Sequence, residues 1–184
     1  RNRLMLPVID TRGDVVAFGS RVLDKSEPKY MNSSETPVYS KRRVLYGLNL
    51  AKKSKRSNII LCEGNLDIVT LHQAGFDNAV ASMGTALTVE QTRLLSRFTK
   101  ELVLCYDNDN AGKIATERAL QILNGSEFNV KVLQLPRRLV DGEYVKQDAD
   151  DFIKFQGPDA FERLLNGSEN GVEFRMAQIA GKYD

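Results

Sequence analysis

Residues 58–67 read Asn-Ile-Ile-Leu-Cys-Glu-Gly-Asn-Leu-Asp, an apolar run that ends directly in an acidic residue and a glycine. The four apolar residues Ile59–Cys62 are typical of a short strand that is buried on both faces. The periodic segment Leu66–Ala74 predicts a helix, and Gly75 stands where a C-terminal cap belongs. The stretch therefore predicts a strand followed by a helix, with Glu63 at the carboxyl end of the strand.

The same alternation continues along the chain. Further strands are predicted at residues 79–82, 102–106 and 130–135, with helices at 88–98 and 111–123. Thr88 is the predicted cap of the first of these helices, and Gln91 occupies the capping-box position. Strands that alternate with helices of this length predict an α/β fold, in which helices flank both faces of a parallel sheet. In such sheets, ligands bind beyond the carboxyl ends of the strands.

The segments on either side of this region follow other patterns. Residues 1–23 predict a hairpin of two strands, residues 24–43 an extended basic loop, and residues 44–53 a short helix. After Pro136 the chain becomes polar. Two short helices are then predicted, at about residues 150–155 and 158–165, and a further helix from Val172.

Composition narrows the class of protein. The 184 residues are 42% hydrophobic and 27% charged, which is typical of a globular domain. Neither an apolar run of about 18 residues nor a signal-peptide pattern occurs, so we expect no membrane association. The isolated thiols of Cys62 and Cys105, each at the end of a predicted strand, favour a cytoplasmic setting. One histidine and two cysteines do not favour a zinc site in this chain. Because the chain opens at Arg1 without an initiator methionine, we expect it to be a fragment of a longer protein.

Charge is distributed unevenly along the chain. Residues 1–56 carry 13 Lys and Arg against 5 Asp and Glu, a net charge of +8, whereas residues 57–184 carry 13 against 19, a net charge of −6. A basic segment joined to an acidic one suggests a surface that binds a polyanion beside a site that binds cations. A solvated basic face remains the alternative.

Three acidic segments follow predicted strands. Glu63 and Asp67 follow the first, and alone could be helix-start carboxylates. Asp107 and Asp109 occupy the equivalent place after a later strand. Because carboxylates that crowd one crevice need a cation to neutralise them, the two pairs together predict a site for a hard divalent ion. The third segment, residues 148–151, either completes this site or caps the helix that follows it.

Two of these segments resemble the signature motifs of a known domain. The patterns Glu63-Gly64-x-x-Asp67 and Asp107-x-Asp109-x-Ala-Gly are similar to the motifs of the TOPRIM domain. This domain is shared by DnaG-type primases, type IA and II topoisomerases, recombination-mediator proteins and OLD-family nucleases. The flanking segments resemble the DnaG-type bacterial primases, in the same order as in that family. These segments are residues 1–7, 18–23, 28–33 and 45–48. The likeness extends from Arg1 to about Leu165.

The resemblance implies a catalytic core with one metal site built from all three acidic segments. The implied catalytic carboxylates are Glu63, Asp107 and Asp109, and the implied further metal ligands are Asp67, Asp148 and Asp150. They would bind Mg²⁺ or Mn²⁺, in a set of two or more ions. Ala149 stands where the family usually has proline, which puts the rigidity of that loop in question.

The resemblance also implies a division of the chain. Residues 1–56 would be the C-terminal part of a basic subdomain, residues 57–140 the TOPRIM subdomain, and residues 141–184 the third acidic motif with the start of a helical subdomain. The family's zinc module, the first part of its core and its helicase-binding domain would lie outside this chain.

Cations near the start of the chain are the candidate nucleic-acid-binding residues. They are accompanied by an aromatic and an amide side chain that could stack on a base or bond to it. The candidates are Arg1, Arg3, Arg21, Lys29, Lys41, Arg42 and Arg43, with Tyr30 and Asn32. By the resemblance, they would hold the template strand and the incoming nucleotide.

The function that follows is synthesis of short RNA primers from NTPs on a single-stranded DNA template. The replicative helicase would be a partner, through a C-terminal domain outside this chain. Two alternatives remain: a nuclease of the same metal fold, and a fragment that binds nucleotides or single-stranded DNA without turnover.

Overall fold

The computed structural model describes residues 2–180. These residues form a small antiparallel sheet, a larger mixed sheet with helices packed against it, and a separate hairpin. The elements in chain order are β1 (Arg3–Ile9), β2 (Val15–Val22), β3 (Tyr30–Asn32), α1 (Leu48–Ala51), β4 (Asn58–Cys62), α2 (Asn65–Gln73), β5 (Ala79–Ala81), α3 (Val89–Leu95), β6 (Glu101–Leu104), α4 (Asn110–Leu123), β7 (Asn129–Val132), β8 (Arg138–Val140), β9 (Glu143–Val145), α5 (Ala149–Gln156), α6 (Pro158–Asn166), β10 (Glu169–Asn170) and α7 (Gly171–Ala180).

The larger sheet has the strand order β10-β7-β6-β4-β5. Its four longer strands are parallel, and β10 adds an antiparallel edge. Ile60, Leu61 and Val103 have no exposed surface, because helices cover both faces of the sheet. The α/β fold predicted from the sequence is therefore confirmed. Leu61 pairs with Leu104 and Cys62 with Ala81, so the chain leaves three neighbouring strands at one edge of the sheet.

The capping box predicted at the start of α3 is present. The Thr88 hydroxyl accepts a hydrogen bond from the Gln91 backbone N–H at 3.1 Å, and the Gln91 side-chain oxygen accepts one from the Thr88 N–H at 3.1 Å. The Gln91 amide nitrogen also donates to the carbonyls of Lys41 and Val44, at 2.9 and 3.0 Å. Gln91 is completely buried. It therefore joins the basic segment to the larger sheet.

Besides the two-residue edge strand β10, strands occur in two further segments for which the sequence predicted none. Within the predicted loop of residues 24–43, β3 pairs with residues 19–21 of β2 and completes the antiparallel sheet. After Pro136, β8 and β9 form a hairpin around Asp141 and Gly142, which both have positive φ, at 51° and 85°. An Asp-Gly pair is a strong signal for such a turn. The strands are three residues long and mostly exposed, so they show no alternating pattern.

Among residues 2–180, no helix combines the length and apolar character that crossing a bilayer would require.

Candidate active site

The edge where β4 and β6 end brings the first two acidic segments together. Glu63 follows β4, and Asp107 follows β6 by three residues. The Asp107 backbone N–H donates to Glu63 Oε1 at 3.4 Å, so the two loops touch across the sheet edge. Both carboxylates are partly buried. Because β4 and β6 are adjacent and parallel, this contact follows from the strand order.

Asp67 links the first acidic segment to the third. It lies in the first turn of α2 and is only 7% exposed. Its Oδ2 accepts a hydrogen bond from the Gly64 N–H at 3.1 Å, and its Oδ1 accepts one from the Asp150 N–H at 3.2 Å. A Cβ at Gly64 would lie 2.8 Å from Asp67 Oδ2, so the absence of a side chain there leaves room for the carboxylate.

The third acidic segment both caps a helix and gathers carboxylates, so the two alternatives left open by the sequence are compatible. Asp148 caps α5 by accepting a hydrogen bond from the Asp151 N–H at 2.8 Å. Carboxylate oxygens of Asp148, Asp150 and Asp151 all lie within 4.8 Å of one another. Asp151 was not among the predicted site residues, although it is adjacent to two that were.

Asp109 caps α4, where its Oδ1 accepts a hydrogen bond from the Gly112 N–H at 2.9 Å. Its other oxygen faces Lys146, whose ammonium lies 2.9 Å from Asp109 Oδ2 and 3.4 Å from Asp107 Oδ2. Lys146 was not among the site residues predicted from the sequence. Its position 37 residues beyond Asp109 gives no local signal, since the β8–β9 hairpin brings it back to the site.

Gly112 allows the first turn of α4 to pack against the preceding loop. A Cβ at this position would lie 1.9 Å from the Asp107 carbonyl oxygen and 2.8 Å from its carbonyl carbon. Any other residue would therefore displace the backbone that carries Asp107. The glycine in the Asp-x-Asp-x-Ala-Gly pattern is explained by this close approach.

The carboxylates of the site differ in the direction in which their surroundings shift the pKa. Burial, and then the nearby Asp148 carboxylate, raises the pKa of Asp67 to about 7. Burial is also the main cause that raises the pKa of Glu63 and of Asp107. The pKa of Asp109 is lowered, first by the hydrogen bond from the Gly112 backbone and then by Lys146.

This crowding of partly buried carboxylates, with a lysine ammonium between two of them, fits a site for a divalent cation bound through oxygen.

A cleft of about 450 Å³ lies beside this edge and has walls of opposite charge. The acidic wall includes Glu63, Asp67, Asp107, Asp148, Asp150 and Asp151. The opposite wall comes from the antiparallel sheet and includes Arg21, Lys29, Tyr30 and Asn32. The cations of Arg21 and Lys29 each lie 5.6 Å from the centre of the Tyr30 ring. The Asn32 amide donates to the Met83 carbonyl at 3.2 Å, which ties this wall to the loop after β5.

The remaining predicted nucleic-acid-binding residues do not line this cleft. The Arg3 guanidinium donates to the Pro28 carbonyl at 2.7 Å. Lys41 and Arg42 lie near the start of α3, where Arg42 approaches Glu90 at 3.5 Å. Arg43 borders a separate pocket with Arg12 and Arg97. Arg1 lies outside the described residues.

Comparison with known families adds a separate line of evidence. The model of the Toprim-like family matches residues 60–153, which carry all three acidic segments. The model of the N-terminal domain of the DNA primase catalytic core matches residues 1–52, which include the basic wall of the cleft. The chain belongs to the Toprim-like family, in the form found in DnaG-type primase cores. The order of the two matches is the one expected from the sequence motifs.

Individual primases agree with this placement. The chain is 44% identical to a DNA primase of Clostridium acetobutylicum over 96% of its own length, and spans 28% of that protein. The catalytic core of the E. coli primase superposes with a TM-score of 0.86 and 36% identity, covering 99% of this chain and 57% of the other. A DnaG primase catalytic domain bound to single-stranded DNA has the same TM-score at 35% identity, covering 99% and 56%.

The chain thus spans less than a third of the curated primase to which it is compared.

Proposed function

We propose that this cleft is the polymerisation site of a primase, at which RNA primers are extended from NTPs on a single-stranded DNA template. The observation that carries the proposal is that one cleft joins a cationic, aromatic wall to an acidic wall. A nuclease of the same metal fold would need the acidic wall but not the cationic one. The cationic wall lies in the segment that matches the primase core, which favours polymerisation.

On the basic wall, Lys29 and Arg21 would contact phosphates of the template or the incoming nucleotide. Tyr30 is 48% exposed and would stack on a base, since aromatic stacking tolerates any base. Asn32 would add a polar contact to base or ribose. The similarity to a primase domain bound to single-stranded DNA supports this assignment.

On the acidic side of the cleft, Asp107 would hold two Mg²⁺ or Mn²⁺ ions together with Asp109, which does not line the cleft itself but shares the contact with Lys146. When bound, such ions stabilise the attacking and leaving oxygens and screen the triphosphate from the carboxylates. Asp67, Asp148 and Asp150 would complete the ligand set. Glu63 would serve as a further ligand or accept the proton of the 3′-hydroxyl, and its raised pKa suits the second role. The 3′-hydroxyl would bond to the α-phosphate of the NTP and expel pyrophosphate.

The wider setting follows from the family. We propose the domain division at residues 56/57 and 140/141, with residues 141–184 forming the third acidic motif and the start of a helical subdomain. A cytoplasmic location at the replication fork, and a contact with the replicative helicase through a further domain, belong to the same proposal.

A primer-synthesis assay tests the proposed function. The chain is incubated with single-stranded template, labelled NTPs and Mg²⁺ or Mn²⁺, and the RNA products are sized. We expect Glu63→Gln and Asp109→Ala to abolish synthesis. Glu117→Gln is the matched control, because Glu117 is exposed on α4 and does not line the cleft.

Two outcomes would contradict the proposal in different ways. Metal-dependent cleavage of the strand without synthesis would identify a nuclease. Binding of NTP or single-stranded DNA without any product would identify a binding fragment.

A further inference from the structure

Lys146 occupies an unusual position beside the acidic wall. It follows β9 directly, and its side chain crosses to the loop after β6. There, one ammonium group contacts Asp109 Oδ2 at 2.9 Å and Asp107 Oδ2 at 3.4 Å. The side chain of Lys146 is 58% exposed, that of Asp109 32% and that of Asp107 27%, so the cluster is open to solvent. A single lysine therefore bridges the two carboxylates to which the proposed function assigns metal ions.

The backbone around Lys146 is held in place. Gln147 is only 2% exposed, and its amide nitrogen donates to the Pro136 carbonyl at 2.6 Å. Asp148 caps α5 through the Asp151 N–H. Because the two residues that follow are anchored, the Lys146 ammonium can leave the carboxylates by a change of side-chain rotamer, while its Cα stays beside the site.

The lysine and a divalent ion compete for the same atoms. An ammonium carries one charge and only donates hydrogen bonds, whereas a divalent ion carries two charges and binds the oxygens directly. If both were held at Asp107 Oδ2 and Asp109 Oδ2, like charges would lie within a few ångströms of each other, which is unfavourable. An ion bound through these two oxygens therefore competes with the Lys146 ammonium for them.

We propose that Lys146 is a tethered counter-ion, which neutralises Asp107 and Asp109 in the metal-free protein and is displaced when a divalent ion binds there. Lys146 thereby weakens the affinity of the site for the ion. It also balances the negative charge of the loop whenever no ion is bound. This inference rests on the proposed function, since it assumes that Asp107 and Asp109 bind metal.

Mn²⁺ titration by calorimetry, without nucleotide and at constant ionic strength, tests the competition. We expect Lys146→Gln to bind Mn²⁺ at least threefold more tightly than the unsubstituted protein, because the ion no longer displaces a cation. Lys146→Arg retains the charge and should not bind more tightly. Lys113→Gln is the matched control, since it removes one charge from the adjacent first turn of α4 and should change the affinity less than twofold.

Thermal unfolding provides a second measurement. In EDTA we expect Lys146→Gln to unfold at a lower temperature than the unsubstituted protein, because Asp107 and Asp109 lose their counter-ion. In saturating Mn²⁺ this difference should disappear. A difference that persists in Mn²⁺ would identify Lys146 as a structural ion pair and overturn the proposal.

The outcomes separate the two proposals. If the unsubstituted protein binds Mn²⁺ and Asp109→Asn abolishes that binding, while Lys146→Gln does not tighten it, the counter-ion is wrong and the metal site stands. If neither the unsubstituted protein nor Lys146→Gln binds Mn²⁺, the metal site itself is wrong, and the counter-ion with it.

Discussion

At the scale of single residues, Asp67 is the most buried carboxylate of the site, with 7% of its surface exposed. It accepts hydrogen bonds from the backbone N–H groups of Gly64 and Asp150, which favour its charged form. Burial outweighs these bonds and raises its pKa to about 7. Without metal, the folded protein therefore protonates Asp67 near neutral pH, whereas the unfolded chain does so near 3.8.

This shift predicts how stability depends on pH. Because the folded state holds a proton that the unfolded state releases, the contribution of Asp67 to stability is fully present below about pH 4. As the pH rises to about 7 this contribution is lost, and the free energy of unfolding falls by up to about 4 kcal/mol. In EDTA, the stability of the unsubstituted protein relative to Asp67→Asn should therefore fall between pH 4 and 7.5. Denaturant unfolding at several pH values measures this, and a difference that does not vary with pH would contradict it.

Gly112 shows how a residue without a side chain can determine a site. Since a Cβ would lie 1.9 Å from the Asp107 carbonyl oxygen, Gly112→Ala must move either α4 or the loop that carries Asp107. We expect a loss of at least about 2 kcal/mol in the free energy of unfolding, at the upper part of the range for overpacked sites, together with weaker Mn²⁺ binding.

The matched control for this prediction is Gly167→Ala. The nearest atom to a Cβ there is a carbonyl oxygen at 3.6 Å, an ordinary contact. Denaturant unfolding and calorimetry of both variants give the comparison. Equal effects of the two substitutions would contradict the role assigned to Gly112.

At the scale of elements, α5 begins inside the acidic wall, so its cap and its charges involve the same residues. Asp148 accepts the hydrogen bond from the Asp151 N–H, and three carboxylates lie in the first turn or at the cap. Acidic groups near a helix N-terminus are favourable on their own. This stabilisation partly offsets the repulsion that the cluster would otherwise suffer.

The two roles of Asp148 can be separated by experiment. Asp148→Asn keeps a good capping residue but removes the charge, so we expect stability in EDTA to change little and Mn²⁺ affinity to fall. Asp148→Ala removes both, and should also lose about 1 kcal/mol of stability. Calorimetry and denaturant unfolding provide the two measurements. If Asp148→Asn were as destabilising as Asp148→Ala, the cap would not be the source of that stability.

Some elements of the fold were predictable from the sequence, and others were not. β4, α2 and the α3 cap were predictable because their signals are local: an apolar run, a helical period and a capping box. β3 and the β8–β9 hairpin were missed because strands of three residues depend on their partners. Lys146 was missed for the same reason, since only the hairpin places it near Asp109. Glu63, Asp67 and Asp107 were predicted to share a site, and strand order explains why they line one cleft.

At the scale of the whole molecule, the uneven charge of the sequence becomes a cleft with unlike walls. Only part of the basic segment takes part: Arg21 and Lys29 line the cleft, while Arg3, Lys41 and Arg42 lie elsewhere. The charge of the segment therefore overstates the number of phosphate contacts that this cleft can make.

Salt dependence can count those contacts. Each phosphate neutralised on a single strand contributes about −0.7 to the slope of log K against log salt concentration. We expect Lys29→Ala to weaken binding of a labelled single-stranded oligonucleotide and to reduce the slope by about that amount, as measured by fluorescence anisotropy. Lys55→Ala is the control, because Lys55 is exposed and does not line the cleft. An unchanged slope for Lys29→Ala would remove Lys29 from the interface.

Gln91 has a consequence for motion in this molecule. Its amide group holds the segment before α1 through two carbonyls while its oxygen completes the α3 cap. The basic segment is therefore fastened to the sheet at a point remote from the cleft, as Asn32 fastens it close by. With attachments at both places, we expect the gap between the two walls to keep nearly the same width with and without a substrate. Selection of a substrate by its thickness would then need no closing movement.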